Sequence, residues 1–99
     1  MIRHLVTFKL AATDEAQRVK DAHELRARLT ALASVIPEVI SLDVFFDDGR
    51  VAGHWDAVLV ADYASVEALA TYQAHPEHAK VMAFTTAVSE QRAIIDFEV

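Results

Sequence analysis

The chain contains no cysteine, only two glycines and two prolines, and fewer basic than acidic side chains. Without cysteine it has no disulfide framework, no thiol nucleophile and no thiolate metal site. The low glycine and proline content argues against a disordered chain and against a turn-rich β-sandwich. A net charge of −6 disfavours binding to nucleic acid and to anionic membrane surfaces, because both attract basic patches.

Two further absences concern the location of the protein. The sequence has no apolar run of about 18 residues, the length that suggests a transmembrane helix. The first residues, Met1–His4, enter a strand pattern directly, without a charged leader and a long apolar core. We therefore expect a cytoplasmic protein with no membrane partner.

Apolar side chains are abundant instead. The 99 residues are expected to form one domain, residues 1–99, which is close to the smallest comfortable size for a single core. Apolar residues make up 54% of the chain, which is a high fraction for so small an interior. We therefore expect part of this apolar surface to be buried in a homodimer.

Apolar periodicity predicts seven elements along the chain. They are strands at 2–10, 39–46, 55–61 and 92–97, and helices at 13–36, 64–74 and 76–88. This order predicts an α+β fold of the ferredoxin-like βαββαβ type, with a four-stranded antiparallel sheet. The helices would cover one face of the sheet, so we expect the other face to pack against a second copy, sheet to sheet.

The segment Tyr72–His78 contains most of the side chains suited to acid–base chemistry, and it lies at the break between two predicted helices. Pro76 forces this break because it lacks the N–H of an interior helical residue, although it suits the first position of a new helix. Tyr72 and His75 are three residues apart and share a helix face, while His78 lies just inside the next helix. A phenol and an imidazole aimed at one cavity would supply an oxyanion donor and a general base.

Other interpretations of these residues remain open. In a purely structural one, His75 and His78 cap backbone groups and Tyr72 belongs to the core. His4 lies on the apolar side of the first predicted strand, where a lone histidine is more often a hydrogen-bonded core residue than a catalyst. Zinc binding by the three histidines is a third interpretation, although His-Pro-x-His is not a usual ligand spacing.

Several segments, taken in order, resemble one known family: His4-Leu5-Val6, Ile36-Pro37-Glu38-Val39, Trp55-Asp56, the Tyr72–His78 segment and Ile94-Ile95-Asp96-Phe97. Together they are similar, over essentially the whole chain, to the stress-responsive dimeric α/β-barrel (Dabb) family. The His-Pro-x-His junction is the most specific part of the resemblance. The resemblance implies the same ferredoxin-like fold and a dimer.

The Dabb family includes plant stress-associated proteins and a plant polyketide cyclase that needs neither cofactor nor metal. By resemblance to that cyclase, Tyr72 and His78 would be catalytic, and His4 and His75 would line the pocket. Where the cyclase has a further pocket histidine, at the start of its third strand, this chain has Asp56. The resemblance therefore implies a more acidic pocket here.

Two functional hypotheses follow. The first is a small-molecule-binding dimer that acts as a cofactor-independent cyclase, lyase or isomerase on a carbonyl-rich, polyketide-like or phenolic substrate, with His78 as the base and Tyr72 as the donor to an enolate oxygen. Its apolar wall would comprise Val6, Phe8, Leu69, Val81 and Phe84. The second is a non-enzymatic stress-associated structural or ligand-binding protein. A cavity shared by Tyr72 and His78 would favour the first.

Overall fold

The computed structural model describes residues 1–99 and contains four strands and three helices. The strands are β1 (Ile2–Leu10), β2 (Ser41–Phe46), β3 (Ala57–Tyr63) and β4 (Ser89–Glu98), and the helices are α1 (Glu15–Val35), α2 (Val66–Ala74) and α3 (Pro76–Val88). The strands form one antiparallel sheet in the order β2-β3-β1-β4. The predicted ferredoxin-like α+β fold is confirmed. None of the helices combines the length and apolarity needed to cross a bilayer.

The helix starts follow from local sequence. Asp14 caps α1 and Ser65 caps α2, each by accepting a hydrogen bond from a backbone N–H in the first turn. Pro76 lies in the first turn of α3, where its missing N–H costs nothing. His75 is both the C-cap of α2 and the N-cap of α3, so the chain changes direction at a single residue.

Strand alternation places the core on one face of the sheet. The even-numbered residues of β1 from His4 onward point toward the helices and are buried, whereas its odd-numbered residues point away and are half-buried. Fifteen buried apolar side chains from the sheet and the helices form one cluster on the inner face. The outer face is left without a covering layer.

The third strand differs from its predicted bounds. It begins at Ala57 rather than Trp55 because the Asp56 carboxylate accepts a hydrogen bond from the Leu10 N–H at 2.8 Å, beyond the last β1–β3 pair. It also continues past Ala61 to include Tyr63, which lies between the predicted strand at 55–61 and the predicted helix at 64–74. Tyr63 is fully buried in the core.

Strand β4 forms one edge of the sheet. It begins at Ser89 rather than Arg92, because the chain passes from α3 directly into the ladder with β1. From Glu90 to Glu98 every residue of β4 is exposed, so the helices leave this edge uncovered. The second strand begins at Ser41, two positions later than the predicted residue 39.

Candidate active site

A cavity of about 220 Å³ lies on the inner face of the sheet, between β1, β4 and the helices. Its volume corresponds to about seven water molecules at about 30 Å³ each. Apolar side chains form most of the wall, and a few polar groups interrupt it, which is the usual composition of a small-molecule site. The lining residues are His4, Val6, Phe8, Leu29, Leu59, Tyr72, Gln73, His78, Met82, Thr85, Arg92 and Ile94.

Tyr72 and His78 meet at the wall of this cavity. The centroids of their rings are 4.7 Å apart and the ring planes are inclined at 65°, an edge-to-face contact. Tyr72 comes from the last turn of α2 and His78 from the first turn of α3, and the sharp change of direction at His75 brings the two together. Both side chains line the cavity, so a phenol and an imidazole share one space.

The surroundings of His78 keep its ring uncharged. Burial is the main cause that lowers the pKa of His78 below its ordinary value, and the nearby His4 and Arg92 act in the same direction. The Gln73 backbone carbonyl opposes this shift. Because an ordinary histidine pKa is about 6.5, a lowered one leaves His78 neutral at pH 7 and able to accept a proton.

Tyr72 is suited to donate a hydrogen bond, which complements the proton-accepting role of His78. Burial raises the pKa of Tyr72, and the neighbouring Tyr63 side chain opposes that rise. The phenol therefore stays protonated and can donate a hydrogen bond. Tyr63 lies behind it, with ring centroids 5.0 Å apart; its buried hydroxyl forms no hydrogen bond of normal geometry in the chain, although it lies close enough to Tyr72 to affect the pKa of that phenol.

His4 is held by a carboxylate from the last strand. His4 and Asp96 are direct partners across β1 and β4, and His4 Nδ1 lies 2.5 Å from Asp96 Oδ1. An ionised carboxylate only accepts hydrogen bonds, so Nδ1 carries the proton and donates it. This fixes the ring and leaves Nε2 as the nitrogen available to a ligand. The pattern of the closing strand alone does not indicate this role for Asp96.

A larger and more open groove of about 840 Å³ follows the loop 47–56 at the other end of the sheet. Several of its charged side chains pair with one another: His54 Nδ1 lies 3.1 Å from Asp47 Oδ1, and Arg18 Nε lies 3.5 Å from Asp56 Oδ1. Nowhere in the chain do three or more His, Cys, Asp or Glu side chains form a group that could hold a metal ion. We place the candidate site in the smaller cavity, where a proton acceptor and a donor meet.

The Stress responsive A/B Barrel Domain family, Dabb, matches residues 2–99. This chain belongs to the Dabb family. Comparison with the curated proteins finds no match.

Solved structures share the fold of this Dabb domain. A dimeric protein of unknown function from Bacteroides fragilis superposes with a TM-score of 0.90 at 21% identity, covering 99% of this chain and 95% of that chain. A dimeric ferredoxin-like protein of unknown function from Thermobifida fusca has a TM-score of 0.83 at 28% identity, covering 99% and 90%. Hydroxynitrile lyase from Passiflora edulis has a TM-score of 0.82 at 14% identity, covering 99% and 92%.

Two polar residues predicted for the pocket lie outside the cavity of the Dabb domain. His75 caps α3, and its Nδ1 accepts a hydrogen bond from the Glu77 N–H at 3.0 Å, so the structural interpretation describes this residue. Asp56 lies at the far end of β1, where it accepts the hydrogen bond from the Leu10 N–H and faces Arg18. The carboxylate expected to make the pocket acidic is therefore directed into the larger groove.

Helix α3 presents a different face to the cavity from the one predicted. Val81 and Phe84 pack against the core, and Met82 and Thr85 line the cavity instead. Residues four and seven positions after His78 lie on its own side of the helix, which explains this choice. The prediction selected the more apolar residues of a helix that is apolar on more than one side.

The remaining predicted wall residues divide between the cavity and the core. Val6 and Phe8, on the inner face of β1, line the cavity. Leu69, one turn before Tyr72 on α2, lies in the buried cluster and does not line the cavity. Leu29 of α1 and Leu59 of β3 also line the cavity, and neither is among the predicted wall residues.

Proposed function

We propose that this Dabb domain binds a small carbonyl compound in the 220 Å³ cavity and converts it through an enolate, as a cofactor-independent cyclase, lyase or isomerase. A polyketide-like or phenolic substrate has the carbonyl or enol that such chemistry needs. The observation that supports the proposal is the edge-to-face contact of Tyr72 and His78, 4.7 Å between centroids, at the wall of one mostly apolar cavity. Their pKa shifts, down for the imidazole and up for the phenol, suit an acceptor and a donor.

In the proposed step, neutral His78 takes a proton from the carbon next to the carbonyl. The electron pair of the broken C–H bond moves into the new C=C bond, and the carbonyl π electrons move onto oxygen. The Tyr72 hydroxyl donates a hydrogen bond to that oxygen. His78 then returns its proton to carbon or to a leaving group, so the cycle needs no oxidant and no external acid. His4 would orient the ligand through Nε2.

Deuterium exchange of a neutral ketone tests this proposal. In D₂O, we expect the protein to accelerate the loss of the α-protons of methyl propyl ketone, followed by NMR. His78→Gln should abolish the acceleration with little change in melting temperature. His54→Gln is the matched control, because His54 is an exposed histidine outside the cavity, and it should exchange at the wild-type rate.

The same assay distinguishes the alternatives. A His78→Gln variant that melts much earlier would assign a structural role to the histidine. A wild-type protein that binds the ketone without accelerating exchange would be a ligand-binding protein and not an enzyme, and the catalytic proposal would fall.

We also propose that the domain forms a homodimer through the outer face of its sheet. The register places Leu5 between Val60 and Ile95 on this face. Its apolar side chains include exposed Phe45, Ile95 and Phe97 and half-buried Leu5, Val58 and Val60. Burying about 600 Å² of apolar surface contributes about 15 kcal/mol before the costs of association. The related structures from two bacteria are described as dimeric.

Sedimentation velocity tests the dimer. We expect the wild-type protein to sediment as a dimer at micromolar concentration, and Val60→Glu to sediment as a monomer because a charge would be buried in the interface. Val66→Glu introduces the same charge at an exposed position on α2 and should remain dimeric. A monomeric wild-type protein would contradict the proposal.

A further inference from the structure

We infer that Arg92 makes this cavity selective for a ligand that carries a carboxylate. This inference rests on the proposed function, which places the ligand in the 220 Å³ cavity. Arg92 is an exposed residue of β4 on the face of the sheet that carries the helices, and it is one of the residues that line the cavity. The ligand class that follows is a short keto acid, with its carbonyl at Tyr72 and His78 and its carboxylate at the guanidinium.

The donors of Arg92 are largely unused. Six of the nine lysine and arginine residues pair with carboxylates in the chain, namely Arg3, Lys9, Arg18, Arg28, Arg50 and Lys80. Arg92 forms no such pair, and its side chain only donates from Nη1 to the sulfur of Met82 at 3.7 Å. Thioether sulfur is a weak acceptor, so most of the five N–H donors remain free in the planar fork that matches a carboxylate.

The charge of the cavity favours an anion. None of its lining residues is acidic, although the chain has 15 acidic residues against nine basic ones. Asp96, an acidic residue on the same side of β4, is hydrogen-bonded to His4, and Ile94 lies between it and Arg92. A carboxylate entering here therefore meets a cation and no acidic side chain in the cavity wall, which raises both its affinity and its rate of entry.

The distance between Arg92 and the reacting groups suits a small molecule. Met82, which contacts Arg92, lies four residues after His78 on α3, and four residues correspond to an axial rise of about 6 Å. On the sheet, Arg92 pairs with Phe8 and lies on the same inner face as Ile94, which separates it from the His4 end of the cavity. A ligand whose carbonyl is held at His78 therefore needs a carboxylate only a few bonds away.

Comparison of an acid with its neutral amide tests the inference. We would titrate the protein with levulinate, a short keto acid, and with levulinamide, which has nearly the same shape and no charge, by calorimetry at low ionic strength. We expect the wild-type protein to bind levulinate about tenfold more tightly than the amide. Arg92→Gln should remove this preference by weakening levulinate binding far more than levulinamide binding, whereas Arg92→Lys should keep part of it.

Lys20→Gln is the matched control. It also removes one positive charge, but Lys20 is exposed on α1, outside the cavity, and the variant should keep the wild-type preference. Equal affinity of the wild-type protein for acid and amide would overturn the inference. So would a preference that survives Arg92→Gln or that Lys20→Gln reduces equally.

These results are independent of catalysis. If the protein accelerates α-proton exchange of methyl propyl ketone but does not prefer levulinate to levulinamide, the proposed function stands and the inference about Arg92 is wrong. If levulinate binding depends on Arg92 and no ketone exchanges, the carboxylate site stands and the catalytic proposal is wrong.

Discussion

Two adjacent phenols allow chemistry and stability to be separated in one experiment. The rings of Tyr63 and Tyr72 are 5.0 Å apart, and the two residues are 0% and 1% exposed. Tyr72 lines the cavity, whereas Tyr63 does not and has a buried hydroxyl without a partner. Replacement of either by phenylalanine removes one oxygen atom, so the two variants differ only in where that atom was.

We expect Tyr63→Phe to stabilise the protein. A buried hydroxyl without a hydrogen bond is unfavourable by about 1–3 kcal/mol, and the lower end applies because two tyrosine hydroxyls lie close to each other here. A gain of about 1 kcal/mol raises the melting temperature of a domain of this size by about 4–8 °C. The rate of ketone exchange should not change, because the Tyr63 side chain does not reach the cavity.

Tyr72→Phe should have the opposite profile. Loss of one oxyanion donor lowers the rate by about 10²–10³, or about 3–4 kcal/mol of transition-state stabilisation. The melting temperature should change little, since the packing of the ring is retained. Thermal unfolding by circular dichroism and the NMR exchange assay, run on the same samples, measure both quantities.

Two results would refute this reasoning. If Tyr63→Phe lowers the melting temperature, its hydroxyl has a partner, either a water molecule or the Tyr72 phenol. If both variants lose the same fraction of exchange activity, the effect belongs to the packing of the aromatic pair, and Tyr72 is not the donor to the enolate oxygen.

Further predictions concern His78 and His4. Because the folded-state pKa of His78 is lowered, the exchange rate should reach its plateau at a lower pH than for an ordinary imidazole, and an inflection at or above the ordinary value in the pH–rate profile would contradict this. Because the pKa of His78 is lower in the folded state, the unfolded chain binds a proton more readily than the folded one. The free energy of unfolding should therefore decrease as the pH falls from the ordinary histidine pKa toward the lowered one. In denaturant titrations, His78→Gln should remove this part of the decrease. In Asp96→Asn, His4 should no longer be fixed as the Nδ1–H tautomer, which imidazole ¹⁵N shifts report, and ketone exchange should slow less than in His78→Gln. Asp96→Glu should restore the tautomer. Unchanged ¹⁵N shifts in Asp96→Asn would show that Asp96 does not position His4.

Most of the fold could be predicted because its determinants are local and agree with one another. Strand alternation in β1, the capping residues Asp14 and Ser65, and the break at Pro76 each depend on a few consecutive residues. The contact of Tyr72 with His78 was predictable for the same reason, since the two flank a single helix junction.

The rest of the site depends on contacts between distant parts of the chain. His4 and Asp96 are 92 positions apart, and they meet only because β1 and β4 pair in one register, which alternation does not specify. The sequence does not determine which face of α3 lines the cavity. Val81 and Met82 are both apolar, so periodicity cannot indicate which of the two faces the cavity. Asp56 was misplaced because its position was taken from a family resemblance, whereas its own hydrogen bond to Leu10 holds it at the far end of β1.

Strand β4 connects the proposed chemistry with the proposed assembly. Its inner face supplies Arg92 and Ile94 to the cavity, and its outer face supplies Ile95 to the apolar surface of the sheet. An exposed edge strand that only β1 holds by hydrogen bonds opens more readily than a central one. A partner packed against the outer face would therefore also hold the cavity wall in place.

The monomeric Val60→Glu variant should for this reason lose ketone exchange activity, although Val60 does not line the cavity. Amide hydrogen exchange of β4 should accelerate in the same variant, while Val66→Glu should match the wild-type protein in both measurements. A Val60→Glu monomer with full activity and a protected β4 would show that each protomer builds its site alone, and that the outer face serves assembly only.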